Sequence, residues 1–173
     1  MGVRRYVRLT AGIAAVAVLG VGAVATAHGG RKGFSERLSG FEEVPARVSP
    51  GSGTFRASVN RGGTEVNYRL SFAGLGSDVT QAHIHFENAT NNGPVVVFLC
   101  SNLGTGTPGT PACPATGGTV RGTFTAEDVL PAAGQNLAAG DFASLLRAMR
   151  AGATYVNVHT TGVPAGEIRA QLD

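Results

Sequence analysis

The chain has 173 residues, 43% hydrophobic and 14% charged, with 26 glycines, no tryptophan and a formal net charge of +3. This length fits one domain, and the lack of an internal period of 20 to 50 residues argues against a solenoid or propeller. The positive charge does not point to nucleic acid, because Arg4, Arg5 and Arg8 near the start supply the excess: beyond residue 27 eleven basic residues face eleven acidic ones. No clustered basic stretch with interleaved aromatics accompanies them, as nucleic-acid binding would need.

The first segment reads as a leader. "MGVRRYVRLT" is a basic n-region, "AGIAAVAVLGVGAV" is apolar, and "ATA" ends a small-residue cleavage site at Ala27. The apolar run is too short and too rich in Ala and Gly for a membrane span. Residues 1–27 are therefore expected to be a signal peptide. The Arg4–Arg5 pair leaves both the general secretory and the twin-arginine route open. The product is expected to be secreted, extracellular or associated with the cell envelope, with residues 28–33, "HGGRKG", as a mobile mature N-terminus. Cleavage after Ala27 would expose the amine and imidazole of His28 together, a second place where copper could be chelated, although the glycines that follow argue against a preorganised site.

From Phe34 onward, short alternating runs recur between Gly, Pro, Asn and Asp clusters: "FSERLSG", "GTFRASVN", "TEVNYRLSFAGL", "VTQAHIHFEN", "PVVVFLCS", "GTVRGTFTA", "TYVNVHT" and "GEIRAQLD". Period-two alternation with regular turn signals predicts an all-β antiparallel sandwich or barrel of about eight strands. "NRGGT" at 60–64 predicts a hairpin. "TAEDVLP" predicts one capped turn, and "DFASLLRAMRAG" a short amphipathic helix with Asp141 as cap and Gly152 as stop. Cys100 and Cys113 flank a Gly-, Pro- and Thr-rich loop and, in an oxidising compartment, are expected to pair. "NAT" at 88–90 matches a glycosylation acceptor.

Alternation sends Ile84 and Phe86 to the core and His83 and His85 to the opposite face. The same rule in "TYVNVHT" turns Val156 and Val158 inward and leaves Tyr155, Asn157 and His159 opposite. If the two strands are neighbours, His83, His85 and His159 meet on one surface. Three imidazoles that converge leave a fourth position open on a zinc or copper ion. Glu87, Asn157 and Arg169 are candidates for orienting the ligands, activating water or attracting an anion. The competing expectation is a polar sheet face whose histidines bond to Asn157, Glu87 and backbone. Arg169 follows Glu167 at strand spacing, which predicts a shared face and an ion pair or a solvated pair. No Ser/His/Asp or Cys/His set and no phosphate-cradling loop can be assembled, so nothing in the sequence demands an enzyme.

The segments "LSGFEEVPARV", "AHIHFENATNNGPVVVFL" and "YVNVHTTGVPAGEIRAQL" resemble the successive motifs of the CHRD domain, first named from chordin. The resemblance spans residues 34–172 and makes residues 34–173 a single CHRD-like domain. It implies an immunoglobulin-like, superoxide-dismutase-like Greek-key fold, through the family's limited similarity to copper-zinc superoxide dismutases, and it implies no settled activity. His83 and His85 match the dismutases' HxH copper pair, and His159 their late-strand histidine. No histidine lies between His85 and His159, so a bridged copper-zinc pair is not expected. Two functions remain: a non-catalytic extracellular or envelope-associated binding module, and a mononuclear copper- or zinc-binding protein or metalloenzyme. Neither a partner nor an oligomeric state is implied.

Overall fold

The computed structural model describes residues 1–2 and 33–173. Nearly all of the expected leader, together with His28, lies outside the described residues. Of the expected terminal segment only Gly33 is described, and it opens the first strand.

Eight strands form the fold: β1 (Gly33–Ser39), β2 (Ser52–Val59), β3 (Val66–Ala73), β4 (Val79–Phe86), β5 (Val95–Ser101), β6 (Gly118–Phe124), β7 (Thr154–Thr160) and β8 (Ile168–Leu172). All pairings are antiparallel, in the order β5-β4-β7-β8-β1-β2-β3-β6. The sheet curls until β5 and β6 face each other across a seam. Counted through that seam, β4, β5 and β6 run consecutively and β7 returns beside β4, which is the Greek-key pattern. Other segments bridge the seam: Leu130 N–H donates to Val96 O at 2.9 Å, Ser101 N–H to Pro111 O at 2.9 Å, and Tyr68 Oη to Leu99 O at 2.6 Å.

Alternation explains the interior. Phe55, Val66, Leu70, Ile84, Val97, Leu99, Val156, Val158, Ile168 and Leu172 are completely buried, and their sequence neighbours on β2 and β3 are exposed. The turn after β2 closes as expected, with Asn60 N–H donating to Glu65 O and Gly63 at φ +67°, a conformation that favours glycine. Helix α1 (Phe142–Arg150) starts at Asp141, whose carboxylate accepts from Ser144 N–H at 3.0 Å, and buries Phe142, Leu145, Leu146 and Met149. The Phe142 ring lies 6.1 Å from that of Phe124 on β6, so the helix adds its apolar stripe to the barrel core. The capped turn at Ala126–Asp128 is also present, with Thr125 and Asp128 bonding reciprocally. Among the described residues no helix is long and apolar enough to cross a membrane.

Cys100 and Cys113 form a disulfide, with Cα atoms 5.1 Å apart. It ties the end of β5 to the loop that covers the seam. Cys100 is completely buried, so the bridge is a staple within the core.

Candidate metal centre

Strand β4 is flanked by β5 and β7, and the register with β7 places His83 opposite Asn157, His85 opposite Tyr155 and Gln81 opposite His159. The adjacency that the histidine pattern requires is therefore met. On its other side, β5 carries an extra residue opposite each of the steps Ala82/His83 and Ile84/His85. Such bulges re-aim side chains locally, and they fall beside both histidines.

The histidine face is not a solvent surface. His83 and His85 are only 4% and 7% exposed, and His159 is half-buried. Loops close over the sheet here: Gly93 and Pro164 present carbonyls to the imidazoles, while Asn92 reaches across to Val44 O at 2.8 Å. Strand alternation reports which face a side chain takes, but not what later covers that face.

Each ring has one nitrogen fixed by an acceptor. His83 Nε2 donates to Gln81 Oε1 at 2.6 Å, His85 Nδ1 to Gly93 O at 2.8 Å and His159 Nδ1 to Pro164 O at 2.9 Å. A carbonyl oxygen only accepts, so these nitrogens carry the protons and the other nitrogen of each ring presents a lone pair. Burial, reinforced by the neighbouring imidazoles, pushes His83 down to about 2. Burial pushes His85 down to about 4, and it also lowers His159. The rings are thus neutral at physiological pH.

The three rings converge. One nitrogen from each of the three rings lies within 4.8 Å of the others, and His83 Nδ1 stands 3.1 Å from His159 Nε2. With both rings neutral and their N–H groups donating to Gln81 and Pro164, no hydrogen occupies that short gap. His85 Nε2 is buried with no hydrogen-bond partner. Asn157 Oδ1, another acceptor, lies 2.9 Å from His159 Nε2. Acceptors gathered in this way repel one another, and a cation or a hydrogen-bond donor such as water placed among them removes the repulsion. Metal–nitrogen bonds of ~2.0–2.1 Å would set tetrahedral ligand atoms ~3.4 Å apart, so the trio needs only modest closure around an ion. No second group of three such side chains occurs among the described residues.

The other expected residues are placed unequally. Asn157 lies at the centre, with its amide also against the carboxyl of Glu43. Glu87 turns away: its carboxylate accepts from Asn88 N–H at 2.9 Å, and no described hydrogen bond links it to a histidine. Arg169 is 1% exposed and gives no pair with Glu167. It donates to Asn92 Oδ1, Asn88 O and Asn91 O, and its guanidinium carbon lies 3.4 Å from the Tyr155 ring centroid. Tyr155 stacks in turn on His85, with centroids 4.7 Å apart and planes 2° from parallel. Arg169 therefore holds Tyr155, Tyr155 holds His85, and the Arg169 guanidinium is engaged within the protein rather than offered to an anion in solvent. Glu167, which precedes β8, is consumed by Ser49 Oγ, Gly76 N–H and Thr160 Oγ1, at 2.7 to 2.8 Å. The expected shared-face pair is absent because Glu167 and Arg169 are each engaged by loops.

Glu43 is the residue that pattern reading missed. It is 5% exposed, with Oε1 unpartnered, and burial holds its carboxyl up at about 7 against the opposing pull of Arg169 and Arg47. A β-carbon on Gly166, which has φ +119°, would lie 2.6 Å from Glu43 Oε1 and 2.7 Å from Asn157 Nδ2. Glycine is thus required where these groups meet. The nearest sequence signal was the glutamate pair in "GFEEVP", with no indication that its second member turns inward.

The family model described as the CHRD domain matches residues 34–172, the span of the all-β barrel and its roofed histidine cluster. The chain belongs to the CHRD-domain family. No curated protein and no solved structure matches it.

Proposed function

We propose that this CHRD domain is exported and holds one zinc or copper ion through His83, His85 and His159. The observation that carries the proposal is the set of three neutral imidazoles, each offering a nitrogen within 4.8 Å of the others, with His85 Nε2 buried and unpartnered. Their opposite nitrogens are fixed by Gln81, Gly93 and Pro164, the outer hydrogen bonding that orients metal-ligating histidines. Imidazole donors suit either metal. The roof over His83 and His85, and the turning of Glu87 away from them, favour retention of the ion over hydrolysis with Glu87 as base. The leader-like start and the buried disulfide support an extracellular or envelope location.

The test is elemental analysis of tag-free protein loaded with zinc or copper and freed of loose ions. One ion per chain is expected, with loss in His83→Ala, His85→Ala and His159→Ala. Copper-loaded protein should show nitrogen coupling in its electron paramagnetic resonance spectrum. Retention of no ion by a folded wild-type protein would refute the metal site and leave the binding-module reading.

A further inference from the structure

On strands that carry none of the histidines, the pairing of β2, β3 and β6 assembles a feature that is scattered in the sequence. Arg56 lies directly opposite Arg69, and Arg69 directly opposite Arg121. All three are exposed, while their neighbours Phe55, Ala57, Tyr68, Leu70 and Val120 are buried, so the guanidinium groups share the outer face. Adjacent strands are ~4.8 Å apart, which makes this a row of three cations crossing the sheet at that spacing. Like charges directly opposite one another destabilise a sheet. Within these three strands no outward residue is acidic. Glu65, which precedes β3, accepts from Asn67 Nδ2 at 2.7 Å. Asp128, beside Arg121 in a polar cleft of about 220 Å³, accepts from Thr107 Oγ1 and Thr125 N–H.

The side chains flanking the row are short and hydroxylic or amidic. Thr54, Ser71 and Thr119 lie on one side, and Ser58, Asn67 and Thr123 on the other. No aromatic side chain on this face offers a base a stacking platform, and no large apolar one offers a membrane an anchor. Hydroxyl and amide groups around a line of cations complement a chain of sugars that bears acid groups.

We infer that the outer face of β2, β3 and β6 binds a linear acidic polysaccharide, with Arg56, Arg69 and Arg121 pairing to successive carboxylate or sulfate groups. Without such a partner Arg56 and Arg69 face each other with no carboxylate on the outer face of these strands, and with it their repulsion becomes a source of affinity. This face shares no residue with the histidine cluster, so the metal proposal and this one stand or fall separately.

The probes are polygalacturonate and heparin, with phosphatidylglycerol vesicles and single-stranded DNA for comparison, each titrated into the purified protein at 50 and 200 mM salt. Wild type is expected to bind one or both polysaccharides, more weakly at the higher salt. R69Q/R121Q is expected to bind about 30-fold more weakly, and R147Q/R150Q, which loses the same charge from helix α1, to bind as wild type. R69Q alone should retain or raise the melting temperature, which separates lost binding from lost folding. The inference is overturned if neither polysaccharide binds at 50 mM salt, if vesicles or DNA bind and polysaccharides do not, or if R147Q/R150Q weakens binding as much as R69Q/R121Q.

Discussion

Lowering the pH of the metal-free protein from 7 to 5 should destabilise it, and the size of the effect can be worked out from the buried groups. A histidine whose value falls on folding takes up its proton more readily in the unfolded chain. The stability it contributes is present above pH ~6.5 and is lost as pH falls. His83, held near 2, and His85, held near 4, are both neutral in the folded protein at pH 5. At ~1.36 kcal/mol per unit, each removes about 2 kcal/mol by that pH. Glu43 acts in the opposite sense. Its folded value near 7 exceeds the ordinary 4.5, so it contributes stability that is fully present below 4.5 and is lost as pH rises through 7. Going from pH 7 to 5 it restores about 2 kcal/mol. From these three groups the net loss is about 2 kcal/mol in wild type and about 4 kcal/mol in Glu43→Gln, to which His159, also lowered by burial, adds in the same direction; this is a large share of the ~5–15 kcal/mol that holds a typical domain. Urea unfolding of chelator-treated protein at both pH values measures it. A wild type more stable at pH 5 than at pH 7, or a shallower pH dependence in Glu43→Gln, would refute the burial argument for these groups.

Gln81→Leu removes the acceptor that fixes the His83 tautomer and should weaken zinc or copper binding ~10- to 100-fold while the fold persists, as read by competition with a chromophoric chelator. Gly166→Ala places a methyl group between Glu43 and Asn157 at φ +119°, which should cost about 1–3 kcal/mol in thermal or urea unfolding and weaken metal retention as well. Replacing Cys100 and Cys113 by Ala frees a loop spanning 13 residues and should lower stability by about 3 kcal/mol, with the metal still held by protein that remains folded.

Strands were legible wherever one face is buried and the other wet. "TYVNVHT" is β7 from end to end, and the runs of β2 and β3 alternate as drawn. Helix α1, its Asp141 cap and the turn at Thr125 were equally readable, because local hydrogen bonds and spacing determine them. The pairing of Cys100 with Cys113 followed from their being the chain's two cysteines. The histidine site was legible only in part. Spacing puts His83 and His85 on one face, but their meeting with His159 depends on β4 pairing with β7 across more than 70 positions. Burial of the trio was not legible, since loops from three regions of the chain build the roof. The same limit hid Glu43 and misplaced Arg169: a strand pattern says nothing about a loop carbonyl such as Asn88 O arriving to accept from a guanidinium. The arginine row was invisible for the converse reason, as Arg56, Arg69 and Arg121 are 13 and 52 positions apart in sequence and one strand apart in space.

The seam between β5 and β6 also determines how this protein would fail. A closed barrel has no free edge, whereas an interrupted one has two, and an edge left uncovered is a template for another chain. Here the disulfide-held loop lies along β5 and occupies its Ser101 N–H through Pro111. The bridge therefore guards against self-association as well as unfolding. In a reducing environment the Ser101 end of β5 would lose the anchor of its cover, while Leu130 and Tyr68 would still occupy Val96 O and Leu99 O.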